Sequence, residues 1–222
     1  MDKKYFSILY MILRKDFLSE SRERLNLMYL LILAPTISLI LLIFNDSDNV
    51  IHLYFLSILI IGLMTNQRIS RQEISPSGDL ILINAPIDMS LFCLSKILFA
   101  FILNIFMSLV VFVTFLLISS GLFFNKLPNF AILTVFFLLG LSVILTMFSL
   151  MLERVKTEGQ FMLIMVYPLI VPFLILSHNS LIEINHAHFS VFINSFSLQV
   201  LIAFDILLLA ICPILFSCSV RR

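Results

Sequence analysis

Charge is what this chain has least of. Only 12% of its 222 residues are Asp, Glu, Lys or Arg, tryptophan is absent, and glycine occurs five times. With 61% hydrophobic residues, such scarcity of charge excludes a soluble globular domain and a disordered one. Five glycines leave no Gly-rich linker, so residues 1–222 read as one domain. Nor is there a G-x-x-x-x-G-K-[ST] loop to cradle phosphates. The three cysteines, Cys93, Cys212 and Cys218, form no C-x-x-C, which argues against a thiol redox or zinc site. A reducing compartment for Cys93 and Cys218 argues against disulfides. No basic run or stacking platform suits nucleic acid. The absence of H-E-x-x-H and of any nucleophile–base pair argues against an integral membrane enzyme. No ring-forming charge or filter motif points to a solitary channel.

What the chain has is apolar length. Segments of the size that crosses a bilayer, about 20 residues, fall at 27–44, 50–65, 97–122, 130–152, 161–176 and 198–216. The expected fold is an all-α integral membrane protein with six transmembrane helices. The connecting pieces alternate in basic content. Lys3, Lys4, Arg14, Lys15, Arg22 and Arg24 precede the first span; Arg68, Arg71 and Lys96 lie between the second and third; Arg154 and Lys156 lie between the fourth and fifth; Arg221 and Arg222 end the chain. Of the three other connections only one is basic at all, through Lys126. Basic residues stay on the cytoplasmic side, so both termini are expected there. The first 26 residues are too long and too acidic for a cleavable leader, so the first span is expected to stay as an anchor.

Before the first span, residues 4–24 read as an amphipathic helix lying in the membrane interface. Its expected apolar stripe is Phe6, Leu9, Tyr10, Leu13 and Phe17, with Arg14, Lys15, Asp16 and Glu20 off it. The helix either orients the first span or braces a moving bundle. In the fifth span, Pro168 and Pro172 each remove a backbone donor. A kink or break is expected there, with that face packed on protein or lining a cavity. The outer connection, 177–197, is rich in Leu, Ile and Phe and is expected to dip into the membrane or pack across the outer face. Its His178, His186 and His188 suggest a metal, but ligand sites need defined geometry and second-shell support, so no metal site is expected.

Two further features carry functional readings. Residues 67–96 form a cytoplasmic loop whose Ser75-Pro76-Ser77-Gly78 marks a turn. Ser77 or Asp79 can cap a short helix there. The run Leu80-Ile81-Leu82-Ile83, closed by Pro86, is too short to span and has no soluble core to enter, so it reads as a contact surface. Asp205 lies near the midplane of the last span, with no Lys or Arg at matching depth. Ionised there, it would cost about 2.5–3.5 kcal/mol; it is expected protonated, satisfied by a neighbour such as Asn104, or paired with another subunit. Intramembrane acids are functional candidates by default.

The order Glu73, Gly78, the aliphatic run Leu80–Ile83, Pro86, then Lys96 opening the next span resembles the cytoplasmic loop of ABC-2-type permeases. The run Val166-Tyr167-Pro168-Leu169-Ile170-Val171-Pro172-Phe173-Leu174-Ile175 resembles the V-x-P-L-x-x-P-x-L-I segment of the haem exporter protein B (CcmB) family. Ile81 departs from that family, which carries an acid after Gly-x-Leu. The resemblance implies an ABC-2-type permease fold and a subunit of the cytochrome c maturation machinery of a bacterial inner membrane. Residues Glu73, Gly78, Asp79, Leu80, Ile81, Leu82, Ile83 and Pro86 would couple it to a separate CcmA-like ATPase. ATP would bind that partner and haem would be handled by the complex, with no cofactor bound directly. CcmC-, CcmD- and CcmE-like proteins would be its other partners, and the permease would be a homodimer. The alternative is an ABC-2 exporter of lipid, drug or polysaccharide.

Overall fold

From Gly140 to Met147 every residue is buried, whichever side of the helix it occupies. A helix that is apolar and buried all round sits at the centre of its bundle, and that position organises the fold. In the computed structural model the chain is described at residues 3–22, 24–44, 50–73, 88–118, 127–155, 160–186 and 189–220. These form eight helices and no strand: α1 (Lys3–Arg22), α2 (Arg24–Ile43), α3 (Val50–Glu73), α4 (Met89–Ile118), α5 (Leu127–Val155), α6 (Gln160–His186), α7 (Phe189–Ile193) and α8 (Phe196–Val220).

The central helix is α5, and α3, α4, α6 and α8 pack around it. Its hydroxyls do not need outside partners. Ser142 and Ser149 donate to the carbonyls of Leu139 (2.8 Å) and Thr146 (3.0 Å), and Thr146 donates to that of Ser142, the back-bonding that lets Ser and Thr enter a buried helix. On the α3 side, Gly62 admits Leu141 so closely that a Cβ would collide with its Cδ2. Aromatic packing fills the α3–α4–α5 seam. The Tyr54 ring lies 4.8 Å from that of Phe130, and Phe55 meets Phe137 edge-on at 4.9 Å, within the preferred range for ring pairs. Outside the bundle, α2 packs on α3 and α4, α1 on α4, and the short α7 on α5 and α8.

Among the described residues four stretches are long and apolar enough to cross a membrane: Val50–Ile69, Met89–Ile118, Leu127–Leu150 and Phe196–Ser217. Two shorter apolar stretches are Met28–Ile43 and Pro168–Ile184. Large apolar side chains also cover the outside, among them Ile43, Leu109, Leu117, Ile206 and Ile214. Water does not tolerate so broad an apolar exterior; lipid does. The chain is a multi-pass α-helical membrane protein.

Helix ends differ from the apolar boundaries in the sequence. The helix expected to start its span at Ile97 begins at Met89, where the Asp88 carbonyl accepts from the Leu91 and Phe92 N–H groups (3.0 and 3.1 Å). At the other side of that connection, α3 continues to Glu73. The expected loop 67–96 is therefore helical at both flanks, because hydropathy marks the lipid boundary and not the end of hydrogen bonding. The greasy outer connection is likewise helical in large part: α6 runs on to His186, and Leu181, Ile184 and Phe192 belong to the core.

Candidate functional site

The face of α1 that docks on the bundle carries two acids. Asp16 and Glu20, one turn apart, are both buried; of the expected stripe, Leu13 packs against the core and Tyr10 and Phe17 are exposed. The reason lies on other helices. Lys96 of α4 is only 1% exposed, and its Nζ donates to Asp16 Oδ1 at 2.7 Å. Arg68 of α3 pairs with Glu20 through Nη2 and Oε1. A buried cation without a partner costs several kcal/mol, so the acids of α1 turn inward to meet these two. The Phe92 ring lies 5.2 Å from the same ammonium, and Phe17 meets Phe99 edge-on at 5.2 Å.

This junction stands where residues 74–87 leave α3 and return to α4. A second polar contact joins those helices further along. Thr65 Oγ1 donates to Asn104 Oδ1 at 2.7 Å, and Asn66 Nδ2 donates to the Gly62 carbonyl at 2.8 Å. Interhelical hydrogen bonds of this kind fix one helix against another within a membrane.

Asn104 accepts from Thr65 through Oδ1 while its Nδ2 has no hydrogen-bond partner among the described residues, and no bond joins it to Asp205. Asp205 is 1% exposed. Neither carboxylate oxygen has a hydrogen-bond partner among the described residues. It lies on the inward stripe of α8 with Leu198, Leu201, Leu208 and Cys212. Opposite is Gly140 of α5, where a Cβ would strike both Asp205 Oδ1 and the Phe173 ring. The Phe173 ring in turn stacks with Phe137 (5.3 Å) and Phe204 (6.5 Å).

Other candidates are dispersed. The helix is not broken at Pro168 and Pro172; α6 is continuous through both. Both prolines are exposed, because Phe173 and Ser177 take the inward positions, so this face is turned out of the bundle. Cys93 and Cys212 are buried free thiols. His178 stands beside His52, ring centroids 5.2 Å apart, a pairing the sequence reading missed because it weighed only the histidines of the outer connection. Among the described residues no three His, Cys, Asp or Glu side chains gather as a metal site. Glu73 closes α3; Gly78, Asp79, Leu80, Ile81, Leu82, Ile83 and Pro86 lie outside the described residues, as does His188. No family model, curated protein or solved structure matches the chain.

Proposed function

We propose that this chain is the membrane subunit of an ABC-2-type transporter, driven by ATP hydrolysis on a separate subunit that docks on residues 74–87. The carrying observation is the pair of ion contacts from one helix, Asp16 to Lys96 and Glu20 to Arg68. They brace the two helices that hold that segment. A push on residues 74–87 reaches α3 through Glu73 and α4 through Met89. The Thr65–Asn104 bond obliges those helices to move together, and α1 moves with them. On this reading α2 and α6 complete six spans, and both termini face the cytoplasm. Pro172 leaves the Pro168 carbonyl without its helical donor, on a face turned out of the bundle. Hydrocarbon penalises an unpaired carbonyl, which supports a second copy on that face and hence a homodimer.

The finer proposal is that the complex serves cytochrome c maturation, with haem as cargo of the complex or of its chaperone. It rests on the resemblance of residues 166–175. The test is a detergent pull-down of the tagged chain with its partners identified by mass spectrometry. An ATPase together with CcmC- and CcmD-like proteins is the expected result. An ATPase alone keeps the transporter and makes the cargo lipid, drug or polysaccharide; an intact complex without an ATPase overturns the proposal.

A further inference from the structure

The outward face of α1 is built differently from the face that docks it. Met11, Arg14, Lys15, Leu18 and Arg22 recur at steps of one, three and four, which places them on one side of the helix. With Ser19 they line an open groove of about 620 Å³. Among the described residues three cations and no acid line it, since Asp16 and Glu20 are turned into the bundle. Arg14 and Arg22 are exposed, and Lys15 keeps its side chain 62% exposed while lying 3.7 Å from Asp16. Between the cations Met11 and Leu18 stand 65% and 54% exposed.

We propose that this groove binds an anionic phospholipid, its phosphate held by Arg14 and Arg22 and its upper acyl chain laid on Met11 and Leu18. Charge complementarity selects the occupant. A guanidinium matches a phosphate with two parallel hydrogen bonds, and a methionine adapts to an irregular apolar chain. A basic amphipathic helix in the membrane interface meets both parts of a lipid at once. A zwitterionic headgroup brings its own cation and is disfavoured in a groove that already holds three. The site is independent of what the chain transports.

The chain contains no tryptophan, so Ser19→Trp gives the groove a single emission. The full-length Ser19→Trp chain is reconstituted in phosphatidylcholine vesicles carrying a minor fraction of brominated phosphatidylglycerol, or the same fraction of brominated phosphatidylcholine. Brominated phosphatidylglycerol is expected to quench more strongly. Adding Arg14→Gln and Arg22→Gln lowers that preference by about fivefold per arginine, the effect of one basic residue at an anionic surface. Equal quenching by the two lipids in the parent overturns the proposal, whether or not the further variant inserts. So does an unchanged preference in that variant. Inorganic phosphate, compared with chloride at matched ionic strength, is expected to leave the preference intact; its loss would make the groove a site for a soluble anion instead.

Discussion

Lys96 and Asp16 form a buried ion pair with Nζ 2.7 Å from Oδ1, and the Phe92 ring lies 5.2 Å from the same ammonium. The pair secures an amphipathic helix to the bundle by charge at the end where residues 74–87 attach. Lys96→Ala leaves Asp16 buried without this partner and is expected to destabilise by about 3–5 kcal/mol. Combining Asp16→Leu with Lys96→Met removes both charges and should restore most of the loss. Thermal unfolding in detergent compares the three chains. A double variant no more stable than Lys96→Ala would mean that the contact is not what holds α1.

The two described glycines predict an order. Gly62→Ala meets Leu141 Cδ2, the tip of a flexible side chain, whereas Gly140→Ala meets the Asp205 carboxylate and the Phe173 ring. A ring held by two stacked neighbours yields less than a leucine methyl. Gly140→Ala should fall in the overpacking range of about 1–3 kcal/mol, with Gly62→Ala the milder of the two. The reverse order in a denaturant titration would contradict the packing at α5 and α8.

Asp205 has no hydrogen-bond partner to lose among the described residues. An unsatisfied buried polar group costs about 1–3 kcal/mol, so Asp205→Leu should stabilise the chain by about that amount. Asp205→Asn should be tolerated better than Asp205→Lys, which forces a larger cation against Gly140. If Asp205→Leu raises stability yet abolishes complementation of a deletion strain, the carboxyl serves function at the expense of stability. Loss of stability would instead reveal a partner for the acid.

Leu80→Asp or Leu82→Asp should leave the chain in the membrane and detach the ATPase subunit. The measurement is recovery of the ATPase with the tagged variant. Undiminished recovery would remove residues 74–87 from the proposed docking surface.

The sequence carried the helical membrane class plainly, because lipid demands long apolar runs and such runs are visible in any window. The lone acid at residue 205 was visible for the same reason. What stood opposite it was not, since the fit of Gly140 and Phe173 depends on how three helices meet. That the docked face of α1 carries two acids was not legible in its own periodicity. An amphipathic pattern ranks faces by hydropathy alone, and the cations that meet Asp16 and Glu20, Lys96 and Arg68, are distant in sequence. The flanks of loop 67–96 are helical because polar residues such as Gln67 and Arg68 continue the hydrogen-bonded helix beyond the apolar run that marks it in the sequence. His52 escaped notice because its neighbour, His178, belongs to a different helix.

The ion pair also sets an order of assembly during synthesis. Asp16 and Lys96 are 80 residues apart, a separation that translation at about 5–20 residues per second covers in about 4–16 s. Throughout that interval α1 exists without the cation that seats it. α1 is therefore seated at this contact only after the start of α4 has been made, and a ribosome stalled before Lys96 leaves it unanchored there.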